Sequence, residues 1–508
     1  MFEFPFKTAT HPNEACFNKP AGYLYLIERY KLKALPNRHL SYIGVNETFW
    51  YYLQENFISE TYPASYWPGE SDLAHLRFAL RYDGINLGIL ARLFEAIPTS
   101  ELIEHIAEAP EEILRRKIWF LYEFITQKEL PLPDLNHPCS EELLLPEDIY
   151  YTIPGTLSKR HFIRNNLLGK NGFCPILWKT DKLNEILNLD LTSRCKELVK
   201  AYPPELMERA LTYLHKKETR SSFEIEHIEP DTSRTGKFLT LLQRASQTDF
   251  CNKKLLIEVQ NQIVDPRFKD NDYRCEQNYV GQSISHRKEI IHYISPRPED
   301  INNLMDSLLE THQLLKETPL HPLLHAAIIS FGFVFMHPFN DGNGRIHRFL
   351  INNILCFRDF IPREVSFPIS AAILKDQTLY DRALEAFSKP LISVTPYELD
   401  SLGCMQVNGE TADYYRYIDM TPQAEALAEF VRRTIDEELV EELDFLSNYD
   451  RVKKKLQQTV DMPDRLIDLF IRLCNQNGGK LSSKKREKHF SFLTEKEISD
   501  MENILRSR

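Results

Sequence analysis

The residues best equipped for chemistry lie in one short run, His337-Pro338-Phe339-Asn340-Asp341-Gly342-Asn343-Gly344-Arg345-Ile346-His347-Arg348. Asp341-Gly342-Asn343-Gly344 separates an apolar stretch from the start of a second helical pattern. Its two glycines let the backbone turn tightly and expose consecutive N–H groups, which at a helix N-terminus form an anion cradle. Arg345 and Arg348, three apart, share one face of the following helix. Two guanidinium forks suit a polyphosphate better than a single carboxylate. Asp341 is placed to hold Mg²⁺, which takes few carboxylates together with phosphate oxygens. His337, at the exit of the apolar helix, is a natural base for a hydroxyl proton. Pro338 stiffens that exit and Phe339 reads as the peg that pins the loop. Singly, each piece is an ordinary turn, a solvated face or a buried histidine. Together they spell transfer from a nucleoside triphosphate to a hydroxyl.

The run resembles, at every fixed position, the signature of Fic-domain proteins, His-x-Phe-x-(Asp/Glu)-Gly-Asn-Gly-Arg-x-x-Arg. The resemblance implies a mostly α-helical core that transfers AMP from ATP to a Ser, Thr or Tyr hydroxyl of a target protein, and of itself, releasing pyrophosphate. By the same resemblance His337 is the catalytic base and Asp341 holds Mg²⁺. Gly342, Asn343 and Gly344 cradle the phosphates, Arg345 and Arg348 bind their outer oxygens, and Phe339 is structural. His347 falls at a variable position and takes no role.

Three further stretches resemble parts of the same family. Tyr273-Arg274, Gln277-Asn278-Tyr279-Val280-Gly281 and His292-Tyr293-Ile294-Ser295-Pro296 look like its flap, a β-hairpin in which Ile290 and Ile294 alternate with His292 around a polar connection at His286 to Lys288. Residues 278–294 would then dock an extended segment of the target protein edge to edge. Ser222 and Glu226 fit the inhibitory pattern (Ser/Thr)-x-x-x-Glu-(Gly/Asn), in which the glutamate pairs with the second motif arginine, here Arg348. Position 227 departs from that pattern, being His. Ser221 and Glu224 also fit a capping box that would start a helix. Tyr380 with Leu384 resembles a helix bordering the adenine pocket, although Asp381 replaces the family's second tyrosine.

These residues need a scaffold. The chain has 508 residues, which at about 150 per domain suggests three domains. We divide it into an unassigned accessory domain (1–180), a Fic domain with inhibitory helix and flap (181–395) and a C-terminal helical or winged-helix-like domain (396–508). Glycine is scarce, 17 residues in all, which favours helices over a many-stranded sandwich. Helical periods run from Asp72 to about Gln127, with Leu73, Leu76, Ala79, Leu80, Ile113, Ile118, Leu121 and Ile125 on the apolar face. Residues 142–180 read as irregular. Pro203-Pro204 opens a strong helix. His321 to Met336 is apolar nearly all round and belongs at the centre of a bundle. Loop signals gather from Pro390 to Gly409, and a long charged helix or pair of helices follows from Gln423 to Val460. The segment from Asp461, with Lys480, Lys484, Lys485, Arg486 and Lys488, is compatible with a winged helix that touches DNA weakly.

The net charge of −11 argues against a protein whose main task is coating nucleic acid. No stretch reaches the ~18 apolar residues of a membrane span. Met1-Phe2-Glu3-Phe4-Pro5 lacks a basic signal-peptide region. Nine scattered cysteines read as free thiols, so a cytoplasmic location is expected. Two other readings stay open on sequence alone: a regulatory or DNA-associated protein using the core only to bind nucleotide, and an enzyme of the same kind with another donor or with AMP-removing activity.

Overall fold

The computed structural model is mostly α-helical, with a few small sheets. It describes residues 7–8, 18–45, 47, 49–53, 57–135, 140–229, 231–285, 288–362 and 367–506. The N-terminal part holds a sheet in the order β1 (Lys7–Thr8), β4 (Trp50–Leu53), β5 (Ile58–Tyr62), β3 (His39–Ile43), β2 (Lys19–Pro20). Helices α1 (Gly22–Tyr30), α2 (Asp72–Phe78), α3 (Leu87–Ala96), α4 (Thr99–Glu108) and α5 (Ile113–Thr126) share an apolar core centred on Trp119. Leu73, Leu76, Ala79, Ile118 and Leu121 are buried on the face that their spacing predicts. Ile113 is not: as the first residue of α5 it stands 41% exposed. Nor are residues 142–180 wholly irregular, because β6 (Glu142–Leu143), β8 (Ile163–Asn165) and β7 (Thr156–Ser158) form a small sheet. Strands this short give a period of two no room to appear in sequence.

After α6 (Asp181–Leu187) and α7 (Leu191–Lys200) come the elements that build the site. They are α8 (Pro204–Glu224), α9 (Thr232–Arg244), α10 (Lys253–Ile263), α11 (Pro298–Lys316), α12 (Pro322–Met336), α13 (Asn343–Phe357), α14 (Ile369–Lys375) and α15 (Gln377–Val394). Every residue of α12 from Leu323 to Met336 is buried, between α11, α13 and α17 (Thr421–Arg433). That matches its all-round apolarity. The hairpin β9 (Tyr279–Ser285) and β10 (Lys288–Ile294) is antiparallel, with a bulge between Ile291 and Tyr293. Its connection at 286–287 lies outside the described residues.

The loop expected from Pro390 begins later, since α15 runs through Pro390 to Val394. One missing N–H near a helix end is tolerable where the remaining turns are packed. A second hairpin, β11 (Tyr397–Leu399) with β12 (Met405–Val407), and α16 (Ala412–Arg416) follow. The charged region from Gln423 is one helical run, in which a π-turn at Thr434–Glu438 joins α17 to α18 (Leu439–Thr459). The chain ends in α19 (Asp464–Asn475), α20 (Ser483–His489) and α21 (Glu495–Arg506), of which α19 and α21 pack with the end of α18. The winged-helix option is realised only in its helical part. Among the described residues no strand follows β12, because Gly478 and Gly479, at φ 63° and 82°, turn the chain directly into the basic segment.

Asp249, Cys251 and His312 offer ligand atoms within 4.8 Å of one another, yet the group is closed on itself. Arg358 donates to His325 Nδ1 at 2.9 Å, so His325 must donate from Nε2 to His312 Nδ1, 3.1 Å away. His312 Nε2 therefore carries a proton facing Asp249 at 3.1 Å, and Lys316 takes the same carboxylate at 3.1 Å. That proton order leaves His312 without a lone pair for a metal. No helix among the described residues is long and apolar enough to cross a membrane.

Candidate active site

The site is built where α12 ends and α13 begins. His337 closes α12 in the left-handed region (φ 49°, ψ 55°), its N–H on Phe333 O at 3.0 Å. Histidine is among the few side chains enriched there. The residue is half-buried. Its Nδ1 faces Val334 O at 3.2 Å. A carbonyl only accepts, so Nδ1 holds the proton and Nε2 carries the lone pair. Burial pushes the imidazole down to about 4, with the Val334 carbonyl opposing and Arg274 assisting. The ring is thus neutral at pH 7 and able to take a proton.

Phe339 is fully buried against Tyr273 and Phe333, the peg its position predicts. Asn343 closes the loop rather than facing outward. Its Oδ1 accepts Phe339 N–H at 3.1 Å and its Nδ2 donates to Phe339 O at 2.7 Å. Gly342 caps α13 at φ 90°, and a Cβ there would come within 2.9 Å of Val264. As at any helix start, the first N–H groups of α13 have no partner within the helix. Asp341 Oδ1 accepts Gly342 N–H at 2.6 Å and Arg345 at 2.7 Å. Its side chain remains 38% exposed, and Oδ2 has no partner among the described residues. One accessible carboxylate beside an anion cradle suits Mg²⁺, which keeps water and phosphate oxygens as its other ligands.

Arg345 and Arg348 are both buried, and one carboxylate answers both. Glu226 Oε2 lies 2.7 Å from Arg345 Nε, an ion pair without the angle of a hydrogen bond. Glu226 Oε1 accepts from Arg348 at 2.8 Å. Arg348 also donates to Ser222 Oγ at 3.1 Å and Ser222 O at 2.5 Å. Burial opposes the charge on Arg348, yet Glu226 and Tyr380 hold its proton more firmly than usual. A Cβ at Gly344 would stand 2.6 Å from Glu226 Oε1, so a larger residue there would push that carboxylate aside.

Ser221 and Glu224 sit in the last turn of α8, so they start no helix and the capping-box reading falls. The helix ends instead in a Schellman motif: Ile228 N–H reaches Phe223 O at 3.1 Å and His227 N–H reaches Glu224 O at 2.9 Å. His227, at φ 55°, takes the left-handed conformation that glycine or asparagine would take there.

Tyr380 is placed differently from the expectation. It is 5% exposed, its hydroxyl bonds to Arg348 and its ring lies 6.0 Å from His347. That burial makes it a support for the fork instead of an open face for a base. His347, without an assigned role, is a core residue bonded to Ser330 O at 2.8 Å. Sequence reasoning missed what fixes the loop from outside. Arg274 donates to His337 O at 2.9 Å, Glu276 O at 2.7 Å and Pro296 O at 2.6 Å, while its own N–H reaches Pro338 O at 2.8 Å. Burial lowers its guanidinium to about 10. Asp270 takes Asn340 N and Nδ2 at 3.2 and 3.1 Å. Asn278 donates to Phe339 O at 3.1 Å. Only Arg274 and Asn278 carried a signal, their place in the flap stretch. Tyr293 of β10 bonds to Phe335 O and stands 6.0 Å from His337, ring to ring, so the hairpin flanks the imidazole.

Residues 250–355 match the model of the Fic/DOC family, and the resemblance carried by residues 337–348 holds across that segment. The protein adenylyltransferase Fic of Culex quinquefasciatus is 31% identical over 120 residues, 23% of this chain and 22% of the relative. That of Nematostella vectensis is 39% identical over 97 residues, 19% of this chain and 20% of the relative. The chain thus matches about a fifth of the length of these relatives. Among solved structures, a Fic family protein from Desulfovibrio desulfuricans G20 covers 52% of this chain and 75% of its own at 19% identity and a TM-score of 0.36.

Proposed function

We propose that the chain is a protein adenylyltransferase held in check by its own Glu226. The observation that carries the reading is the juxtaposition of a neutral, half-buried His337 with two buried guanidinia and a helix-start cradle. The names of the relatives matched over this segment support ATP as donor. ATP would lay its phosphates on the N–H groups of α13, with Gly342 and Gly344 allowing close approach and Arg345 and Arg348 taking the outer oxygens. Asp341 would hold Mg²⁺, which supplies charge neutralisation for the phosphates. His337 Nε2 accepts the proton of a Ser, Thr or Tyr hydroxyl as its oxygen attacks Pα. The bond from Pα to the bridging oxygen breaks, and pyrophosphate leaves. The chain's own contribution is positioning and fixed charge. The hydroxyl belongs to a target segment laid along β9–β10, or to the chain itself.

Glu226 occupies both forks that phosphates would need. Two buried cations demand an anion, so carboxylate and triphosphate compete for one place. Purified protein incubated with Mg²⁺ and ATP should release pyrophosphate slowly and E226G rapidly, with AMP added to the intact protein by mass. Equal, undetectable release by both would remove the proposal.

A further inference from the structure

The face that α8 turns toward α13 carries Glu218 and Ser222, and Glu226 follows four residues on, in the turn that ends the helix. Opposite them on α13 stand Asn352, Arg348 and Arg345, making a three-rung polar ladder between the helices. Glu226 and Ser222 form the two rungs at the arginines. The third lies a turn away: Glu218 Oε1 accepts Asn352 Nδ2 at 3.3 Å. The same carboxylate accepts Ser370 Oγ at 2.6 Å and Ser370 N–H at 2.8 Å at the start of α14. Glu218 is fully buried. Burying a carboxyl is costly, and an aliphatic residue would fill the place without that cost. What the carboxyl adds is direction, because donors from two other helices meet at one point of α8.

We propose that Glu218 is a positioning residue of the inhibitory contact, fixing the register of α8 so that Glu226 reaches both guanidinia. The inference rests on the reading of Glu226 as inhibitor and extends it to a residue outside the Ser222–Glu226 pattern. A slip of α8 by one residue turns its face by about 100°, which takes Glu226 out of both forks. Glu218 hydrogen-bonds to Asn352 and Ser370 and to none of the cradle, the base or the two arginines, so the route from it to the site runs through the placing of Glu226.

The test compares self-modification by α-labelled ATP in the parent, E218A, E218Q, S370A, E226G and the double variant E218A/E226G. We expect E218A to raise labelling about tenfold and S370A several-fold. E218Q should fall between parent and E218A, since its amide oxygen still accepts from Ser370. E218A/E226G should label no faster than E226G. Hydrogen exchange at residues 215–228 should accelerate in E218A while near-UV ellipticity is kept. Should E218A fail to fold, E218Q and S370A carry the same comparison. Parental labelling in these variants, with E226G active, would overturn the inference and leave Glu226 as inhibitor. An added increase in the double variant would also overturn it. A silent E226G would instead strike the inhibitory reading beneath it.

Discussion

His337 and Glu226 are the residues on which the proposed chemistry turns. Because burial holds the imidazole near 4, the base is already deprotonated across pH 6–8. Transfer by E226G should be flat in that range for this group and fall as the pH drops toward 4. An inflection near 6.5 would show an ordinary, solvated histidine. H337A should lose about 10²–10⁴-fold, the usual worth of a general base, with nucleotide binding kept. Glu226 makes a second, thermodynamic prediction. Its removal leaves the buried Arg348 without a carboxylate and Arg345 with Asp341 alone, a loss of about 3–5 kcal/mol for a broken buried pair. E226G should therefore melt below the parent and regain more on adding ATP, because ligand binding stabilises by mass action. A smaller ATP-induced shift in E226G than in the parent would contradict the competition. At this scale the sequence was most legible: residue types at fixed spacing singled out His337, Asp341, Arg345 and Arg348, and the family resemblance added Glu226, before any fold was visible. It could not show that one carboxylate spans both arginines, since 119 positions separate Glu226 from Arg345 in the chain, nor that Tyr380 supports a fork.

Among the elements, α8 is the one that the proposed inhibition makes responsible for opening the site. On its inner side the ladder ties it to α13. On its outer side Lys217 meets the buried Glu438 at 2.8 Å and Arg209 meets Asp450 at 2.7 Å, binding it to the run of α17 and α18. The Schellman ending sets where Glu226 stands relative to α8, and the left-handed residue in it is His227. H227G should keep or slightly raise stability, because glycine adopts positive φ without a Cβ penalty. H227V should cost about 1–2 kcal/mol, as expected for a residue forced into the left-handed region, and should raise basal labelling by loosening Glu226. Chemical denaturation and the labelling assay read the two effects separately. H227V labelling at the parental rate would show that the helix ending does not govern the inhibitor. Helix α8 was readable from its apolar period and α12 from its all-round apolarity. The ladder was not, because Glu218 carries no motif and a buried glutamate looks like any surface one in sequence. The short N-terminal strands and the helical turn through Pro390 escaped for the opposite reason: tertiary packing overrode weak or contrary local preference.

For the molecule as a whole, buried titratable groups set how stability follows pH. Burial pushes Asp83 up to about 8 and Glu218 up to about 7. A raised carboxyl contributes stability that is present below its unfolded value and lost as the pH rises through its folded value. Burial also drives His321 and His337 down to about 4 and His347 to about 3. A lowered histidine contributes stability that is present above about 6.5 and lost as the pH falls through its folded value. The melting temperature should peak between about pH 5 and 6.5 and decline on both sides, and D83N should flatten the alkaline limb. A melting temperature that keeps rising from pH 6.5 to 8.5 would contradict this. The account as a whole stands on which bond of ATP is broken. E226G should be incubated in parallel with ATP labelled at the α-phosphate and at the γ-phosphate, and the protein then denatured and counted. The account predicts stable label from the α position only, abolished by adding H337A. Label from the γ position, or α-label that survives H337A, would contradict it.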